Sequence, residues 1–418
     1  MLFQVVTTAL FLGWYAVQAY ILGACLYVLS SAVIFLLFFT RIKGLFRRSA
    51  QPLFGAVRTN FILLIPAHNE EQPLPLLLAS IQRLNYSAEQ FTTAVIADNC
   101  TDRTASVARE AGALCFERYT TVPSDKTQAL QHGYSKIAAQ AAAANAVICI
   151  IDADCVLDPD YLTELDCLYS QPNAPMAVQS YRSVSNKFES DVTVLDAAAE
   201  ALRQWVQSGT RQWLGQDVFL FGLGSSMRES IFAKVVALPS TSLAEDKEWK
   251  VYLTSENIRV AYCPTARLSY EVVSDVKAFQ QQRNRWLTGY YQSFRTHGIS
   301  MLLRGIRGAN LAQLDLAGDL LQLPRSILVL AALFFGLLAQ WFSQFALVSS
   351  WVWLGVILAF GVYGSIGLRL IGARPRHYLL LFSGFKLMAM VIKLSGAAVL
   401  GRGVEVWAAT RRKRPKAS

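Results

Sequence analysis

Charge is scarce in this chain. Only 16% of its 418 residues are Asp, Glu, Lys or Arg, and 53% are hydrophobic, for a mean hydropathy of +0.32. An ordinary soluble domain carries about 25% charged residues, so this balance excludes a chain that is soluble along its whole length. The charge present leans basic, with a net +10. No basic-aromatic module accompanies it, which excludes nucleic acid as a partner. The excess sits beside apolar segments instead. Arg41, Lys43, Arg47 and Arg48 follow the first, and Arg411, Arg412, Lys413, Arg414 and Lys416 crowd the C-terminal end. That distribution fits the inner face of a membrane and its anionic lipids. The seven cysteines include no C-x-x-C pair. Cys115 and Cys149 fall in apolar strands, so the set reads as reduced thiols packed as small hydrophobes in a cytosolic domain. The long N-terminal apolar run lacks a small-residue cleavage site, which excludes a secretory leader.

Residues 5–40 carry no charge and no dividing polar turn. About 20 residues cross a bilayer core, so one spanning helix is predicted near 17–40, its N-terminus outside and the basic cluster inside. Two further spans are predicted near 327–342 and 352–370, with Arg369, Arg374 and Arg376 inside. Between 298 and 323, leucines alternate with Arg304, Arg307, Asp315 and Asp319 as in one or two amphipathic interface helices. The last apolar stretch, 378–400, contains Lys386 and Lys393, each costing about 2.5–3.5 kcal/mol at the centre of a span. If it crossed, the basic tail would lie outside. An interfacial or re-entrant segment is therefore predicted.

The middle of the chain alternates strand-like and helix-like patterns. Strands are predicted at 61–65, 93–97, 114–116 and 147–151, and helices at 74–84, 101–111 and 126–144. This is the mark of a mostly parallel, Rossmann-like sheet with helices on both faces. Farther on the pattern is irregular, with a long helix near 189–209, strands at 260–263 and 266–271, and a helix at 275–296. Four regions result: 1–50, a transmembrane helix and basic juxtamembrane segment; 51–297, a soluble α/β domain entered through a linker with Gln51, Pro52 and Gly55; 298–323, interface helices; 324–418, transmembrane or interfacial helices and the tail.

The buried strand at 147–151 ends abruptly in Asp152-Ala153-Asp154. Ligands bind beyond the carboxyl ends of strands in open α/β sheets, and two such carboxylates suit a hard divalent cation shared with phosphate oxygens. They equally suit a cap for a helix starting near Pro159. Asp98, at the end of the preceding strand, either accepts hydrogen bonds from a base or ribose or caps the next helix. His68 reads as a loop residue without a metal role. Lys126, at a helix start, either meets a phosphate or is solvated. Phe221-Gly222-Leu223-Gly224-Ser225-Ser226-Met227-Arg228 is not a G-x-G-x-x-G loop; its glycines open backbone to a sugar or simply turn. Glu245-Asp246 marks a helix start or supplies a general base. In Gln282-x-x-Arg285-Trp286 the guanidinium suits a diphosphate and the indole a sugar face, or the pair anchors an interface.

Taken in order, Asp98, Asp152-x-Asp154, Asp246 and Gln282-x-x-Arg285-Trp286 resemble the D, DxD, D, QxxRW pattern of membrane-bound family 2 glycosyltransferases, the family of cellulose, hyaluronan and poly-N-acetylglucosamine synthases. Ile65-Pro66-Ala67-His68-Asn69-Glu70 is similar to its first strand. The resemblance runs from about Asn60 to Trp286. It implies a cytosolic GT-A domain between N- and C-terminal transmembrane helices, using a nucleotide-sugar donor, usually a UDP-sugar. Asp98 and Lys126 would serve the donor. Asp152 and Asp154 would hold Mg²⁺ or Mn²⁺ and the donor ribose, with Asp154 the direct ligand. Asp246, beside Glu245, would be the base, and Arg285 would steady the departing diphosphate. Gln282, Trp286, Gly222, Gly224 and Arg228 would face the acceptor. Ala244 stands where the family usually has threonine, and the membrane part is short for a polymer-secreting enzyme. The implied activity is inverting transfer to a polysaccharide or lipid-linked acceptor at the cytoplasmic face of a bacterial inner membrane, with membrane lipids and synthase subunits as partners. The alternatives are a single-addition glycolipid synthase and a non-catalytic synthase subunit.

Overall fold

The computed structural model describes residues 2–47, 58–121, 125–239, 242–383 and 385–399, without the side chains of 2–8 and 382–388. Arg48, the linker residues Gln51, Pro52 and Gly55, the Lys386 side chain and the basic tail lie outside that description.

The uncharged N-terminal run forms one helix, α1 (Leu2–Leu37), and a short α2 (Phe39–Leu45) follows. The soluble domain opens with β1 (Phe61–Ala67), whose apolar run is buried on both faces, as a central parallel strand requires. Then come α3 (Leu74–Ile81), β2 (Phe91–Asp98), α4 (Thr104–Glu110), β3 (Leu114–Arg118), α5 (Lys126–Ala143) and β4 (Val147–Ile150). β1 pairs in parallel with β2 and β4, and β2 with β3. Alternate residues face opposite sides: Leu63, Ile65, Val147 and Cys149 pack against α3, while Ile62, Leu64, Ile148 and Ile150 pack against α5.

The second half runs β5 (Cys155–Leu157), α6 (Tyr161–Tyr169), β6 (Ala177–Val184), α7 (Asp191–Ala201), α8 (Gly209–Trp213), β7 (Ser225–Arg228), α9 (Glu229–Val236), α10 (Glu245–Ser255) and β8 (Val260–Tyr270). Among the described residues the sheet has eight strands in the order β3-β2-β1-β4-β7-β6-β8-β5. The expected mostly parallel α/β sheet is borne out, with antiparallel pairing where β7 sits between β4 and β6. Three local readings change. The strands expected at 260–263 and 266–271 are one strand, β8, whose register against β6 shifts between Ser180 and Tyr181, jumping from Cys263 to Arg267. Pro264 in the skipped stretch has no N–H for a ladder bond. The helix expected at 101–111 begins only at Thr104, because Asn99 turns the chain at φ +50 and Asp102 accepts from Thr104 N at 3.0 Å. The long helix expected at 189–209 is α7 and α8 joined by a π-helical stretch, Leu202–Ser208.

After the sheet come α11 (Val276–Ser293), α12 (Ile299–Arg307), α13 (Leu311–Leu320), α14 (Arg325–Trp341), α15 (Ser350–Leu370), α16 (Leu380–Ser383) and α17 (Phe385–Val399). Among the described residues two helices are long and apolar enough to cross a membrane, Ala9–Leu37 within α1 and α15. The span expected at 327–342 is the 17-residue α14, joined to α13 through a 79° bend. Pro324 sits at that break, where its ring and missing N–H stop α13 from continuing. α12 exposes Ile299, Leu303 and Ile306 and buries Met301, the one-sided pattern of an interface helix. α17 lies along α11.

Helices α1, α14 and α15 share one apolar core through Phe35, Phe335 and Trp353, and that core continues into the domain through Phe46, Val206 and Tyr262. Phe46 stacks on Trp205 with ring centroids 3.7 Å apart. The α/β domain is therefore packed onto the helix bundle rather than tethered to it.

Candidate active site

The parallel strands deliver Asp98 and Asp152-Ala153-Asp154 to the same edge of the sheet. Asp98 is 7% exposed and bonded by Arg118 at 2.8 Å. It caps no helix. Asp152 and Asp154 cap none either, since β5 intervenes before α6. Lys126 is not solvated: it opens α5 behind an Asp125 cap that accepts from Gln128 N, and its Nζ lies 2.5 Å from Asp152 Oδ1 and 3.8 Å from Glu245 Oε1. Burial works against its charge, but the Asp152, Glu245 and Asp246 carboxylates more than offset this and raise its pKa.

Glu245 and Asp246 open α10, but they line a cavity with Asp98, Lys126, Asp152 and Asp154 instead of facing bulk solvent. Burial pushes the Glu245 carboxyl up to about 7, with Lys126 opposing and Asp246 adding to the rise. Asp246 is also raised, by burial first, against the pull of Lys247 and Lys126. Its Oδ1 accepts from Lys247 N at 2.9 Å. Two neighbouring carboxyls with raised pKa in one cleft are the arrangement from which a general base is drawn.

Helix α11 brings Gln282, Arg285 and Trp286 into the same cavity. Burial lowers the Arg285 pKa, with Glu245 and Asp152 acting in the opposite direction. Trp286 is 37% exposed, and the Arg283 guanidinium lies 4.8 Å from its ring centre. Gly222 adopts φ +63, and a Cβ there would stand 3.5 Å from Glu245 Oε1, so the glycine turn runs beside the carboxylates. Gly224, at φ +72, faces Leu268 and Gln179 in the sheet. Arg228 is not brought to this group. It pairs with Val147, at the opposite end of β4 from Asp152, and donates to Tyr169 O at 2.7 Å.

The turn before Glu245 is fixed by Ser242, whose Oγ donates to Gly289 O at 2.9 Å and accepts from Ala244 N at 3.0 Å. A hydroxyl absent at Ala244 is thus present two residues earlier. A Cβ on Gly289 would come within 2.8 Å of Ala244 N and 2.9 Å of Leu243 C, backbone atoms that cannot yield without moving Glu245 and Asp246. Gly289→Ala is expected to fold yet lower kcat about 10- to 100-fold, read by nucleotide release, with the donor KM changing less.

The charged network behind this wall is not among the residues named from the sequence. Glu200 is bonded at 2.8 Å by both Arg182 and Arg203, and Arg182 also donates to Phe221 O at 3.3 Å. Arg182 and Glu200 are 18 residues apart and meet only through the fold. The Glu200–Arg203 pair, three residues apart on a helix, was the one legible signal.

Among the described residues no three His, Cys, Asp or Glu side chains cluster to hold a metal alone. The donor set fits a cation of another kind. Mg²⁺ characteristically binds through one or two carboxylates and completes its shell with water and substrate phosphates, and Asp152 and Asp154 are partly exposed on the cavity.

A mostly parallel sheet with carboxylates at its strand ends, joined to apolar helices, has the architecture of a GT-A fold. Residues 59–289 match the family described as Glycosyltransferase like family 2, and the chain belongs to that family. It is 26% identical over 239 residues to the probable glycosyltransferase YdaM of Bacillus subtilis, covering 54% of each chain. It is also 26% identical over 242 residues to a beta-monoglucosyldiacylglycerol synthase of Nostoc sp., covering 56% of this chain and 49% of that one. The chain thus spans about half the length of the curated relatives it matches. A solved structure, the mannosyltransferase PcManGT of Pyrobaculum calidifontis with GDP-Man and Mn²⁺, aligns over 91% of this chain and 99% of its own, with TM-score 0.53 and 15% identity. That likeness is one of fold.

Proposed function

We propose that this glycosyltransferase moves one sugar from a nucleotide-sugar to the hydroxyl of a lipid acceptor at the cytoplasmic face of a bacterial inner membrane, inverting the anomeric centre. One observation carries the reading. The cavity of about 2610 Å³ that holds the carboxylates is continuous with apolar side chains of α14 and α15, among them Val329, Leu333, Ile357 and Phe360. A polar reaction centre opening onto membrane helices suits an amphiphilic acceptor, and the Nostoc relative is named for a glycolipid product.

In this mechanism Asp98 receives the base of the donor, and Arg118, 2.8 Å away, orients its carboxylate. Asp154, with Asp152 beside it, would hold Mg²⁺ or Mn²⁺, which when bound would supply positive charge to the diphosphate. Lys126 ties Asp152 to Glu245 and so fixes the distance between donor and base sites. Asp246 takes the acceptor proton as the new bond forms, and Arg285 stabilises the diphosphate charge as it departs. One displacement with one base gives a β-linkage from an α-linked donor. Arg41 and Lys43 follow α1, and Arg374 and Arg376 follow α15, so both cationic clusters flank the domain side. α12 and α13 lie at the interface in this reading, and α17 stays on the same side.

Polymerisation is the second reading, favoured by Trp286, which is exposed on the cavity and suits stacking on a saccharide. The intact carboxylates weigh against a non-catalytic subunit. The test uses purified protein in detergent with diacylglycerol, Mg²⁺ or Mn²⁺, and UDP-glucose, UDP-galactose, UDP-N-acetylglucosamine or GDP-mannose. Lipid-dependent nucleotide release with one added β-linked sugar is expected. A ladder of products supports polymerisation, and release indifferent to lipid defeats the lipid reading.

A further inference from the structure

The residue after Asp246 is tied to a helix outside the α/β domain. Lys247 Nζ reaches Asp319 Oδ2 on α13 at 2.6 Å. The same ammonium lies 5.7 Å from the ring centre of Phe219 and 5.9 Å from that of Tyr290 on α11. Tyr290 Oη lies 2.5 Å from both Asp319 O and Gln322 O, and its one proton is shared between them. α13 is also anchored to α1: Tyr27 donates to Asp315 Oδ1 at 3.0 Å, and Arg211 binds the same carboxylate. After four intervening residues and the 79° bend, α14 begins.

We infer that Asp319 is a positioning residue for this reaction: through Lys247 it holds the turn that carries Asp246, so the seating of α13 and α14 in the membrane sets where that carboxylate stands. The inference rests on Asp246 as the base. Two features distinguish the tie from a surface ion pair. Both side chains are mostly covered, at 17% and 20% exposed, and the Asp246 carboxylate accepts from Lys247's own backbone N–H. A shift of the lysine therefore moves the carboxylate with it.

The tie is electrostatic as well as mechanical. Asp246 is faced by Lys247 and Glu245 on its own helix, Lys126 on α5 and Arg182 on β6. Lys247 is faced by Asp319, Asp246 and, from the π-helical stretch, Arg203. Removing the Asp319 charge leaves a naked ammonium beside Asp246 and favours its ionised form. Removing the Lys247 charge does the reverse.

Asp319→Asn, Lys247→Met and the double variant Lys247→Met/Asp319→Leu separate these effects in the full chain in detergent, assayed with the donor panel and diacylglycerol. Each single variant is expected to lower kcat about 10- to 100-fold. The acidic limb of kcat/KM should move down about one pH unit for Asp319→Asn and up about one unit for Lys247→Met. Displacement in the same direction, or none, overturns the inference. The pH dependence of the melting temperature gives a readout that needs no turnover. The pH at which stability declines as Asp246 ionises is expected to move in the same opposite directions. If Asp246→Asn keeps activity, the base reading fails, and the unfolding comparison still decides the tie. If the single variants do not fold, the double variant, with no unpaired charge, is expected to fold with depressed kcat. Wild-type kcat in the double variant would sink the proposal.

Discussion

Replacing Asp246 with asparagine is expected to reduce kcat about 10²–10⁴-fold, the contribution of a positioned general base, while donor affinity stays near wild type. The substitution preserves shape, because an asparagine oxygen can still accept from Lys247 N where the carboxylate does now. What it removes is the ability to take a proton. Glu245 is the obvious substitute, and its surroundings argue against that role. Its carboxyl is raised by burial against the pull of Lys126, and its Oε1 is engaged toward that ammonium at 3.8 Å instead of being left for an acceptor hydroxyl. Because the two carboxyls are coupled, acidic-limb values belong to the pair. Turnover is expected to rise with pH as the pair gives up its protons, Glu245 near 7. Nucleotide release together with donor titration measures both quantities. Unchanged release in the variant would move the base assignment to Glu245.

The half of the fold that was legible in the sequence is the half built from local signals. Runs such as Phe61–Ala67 and Val147–Ile150 are apolar throughout because both faces are covered, and a parallel strand of that kind announces itself and its carboxyl end. That is why Asp98, Asp152 and Asp154 could be placed at strand ends. Glu245, Asp246, Gln282, Arg285 and Trp286 were instead singled out through the resemblance to the D, DxD, D, QxxRW pattern, and all eight line one cavity. Arg228 was named with Gly222 and Gly224 because the resemblance gives that segment a place at the acceptor, but β7 runs antiparallel to β4, so each step along it leads away from Asp152. The direction of a short strand has no local signature. The single strand β8 was read as two because Pro264 punctuates it, and only the partner β6 shows how the register absorbs the break. The ties between Lys247 and Asp319, or Arg182 and Glu200, were invisible for a simpler reason. Each joins residues far apart in sequence, and charge alone does not say which partner the fold will supply.

The Arg182–Glu200–Arg203 network leads to the largest expected loss of stability. Glu200 is 2% exposed and accepts from Arg182, Arg203 and Gln204. Burial acts to raise its pKa, but the two guanidiniums and their hydrogen bonds overcome this and hold it at about 2. The unfolded carboxyl titrates near 4.5, so between about 4.5 and 2 the unfolded chain binds more protons and stability rises with pH. The stabilisation is therefore complete above about 4.5, worth about 3 kcal/mol, and is lost as pH falls through 2. Glu200→Gln removes that slope and leaves two covered guanidiniums against a neutral amide whose N–H₂ group cannot accept from either. A cost of about 3–5 kcal/mol is expected, as for a buried pair stripped of one partner. Because Arg182 also holds Phe221 O, the glycine turn beside Glu245 should loosen, and activity should fall in the fraction that remains folded. Melting temperatures across pH 2–7 in detergent check the sign and the size. A Gln variant that melts like wild type at pH 7 would mean that Asp196, which also acts on Arg203, is enough to neutralise the cluster.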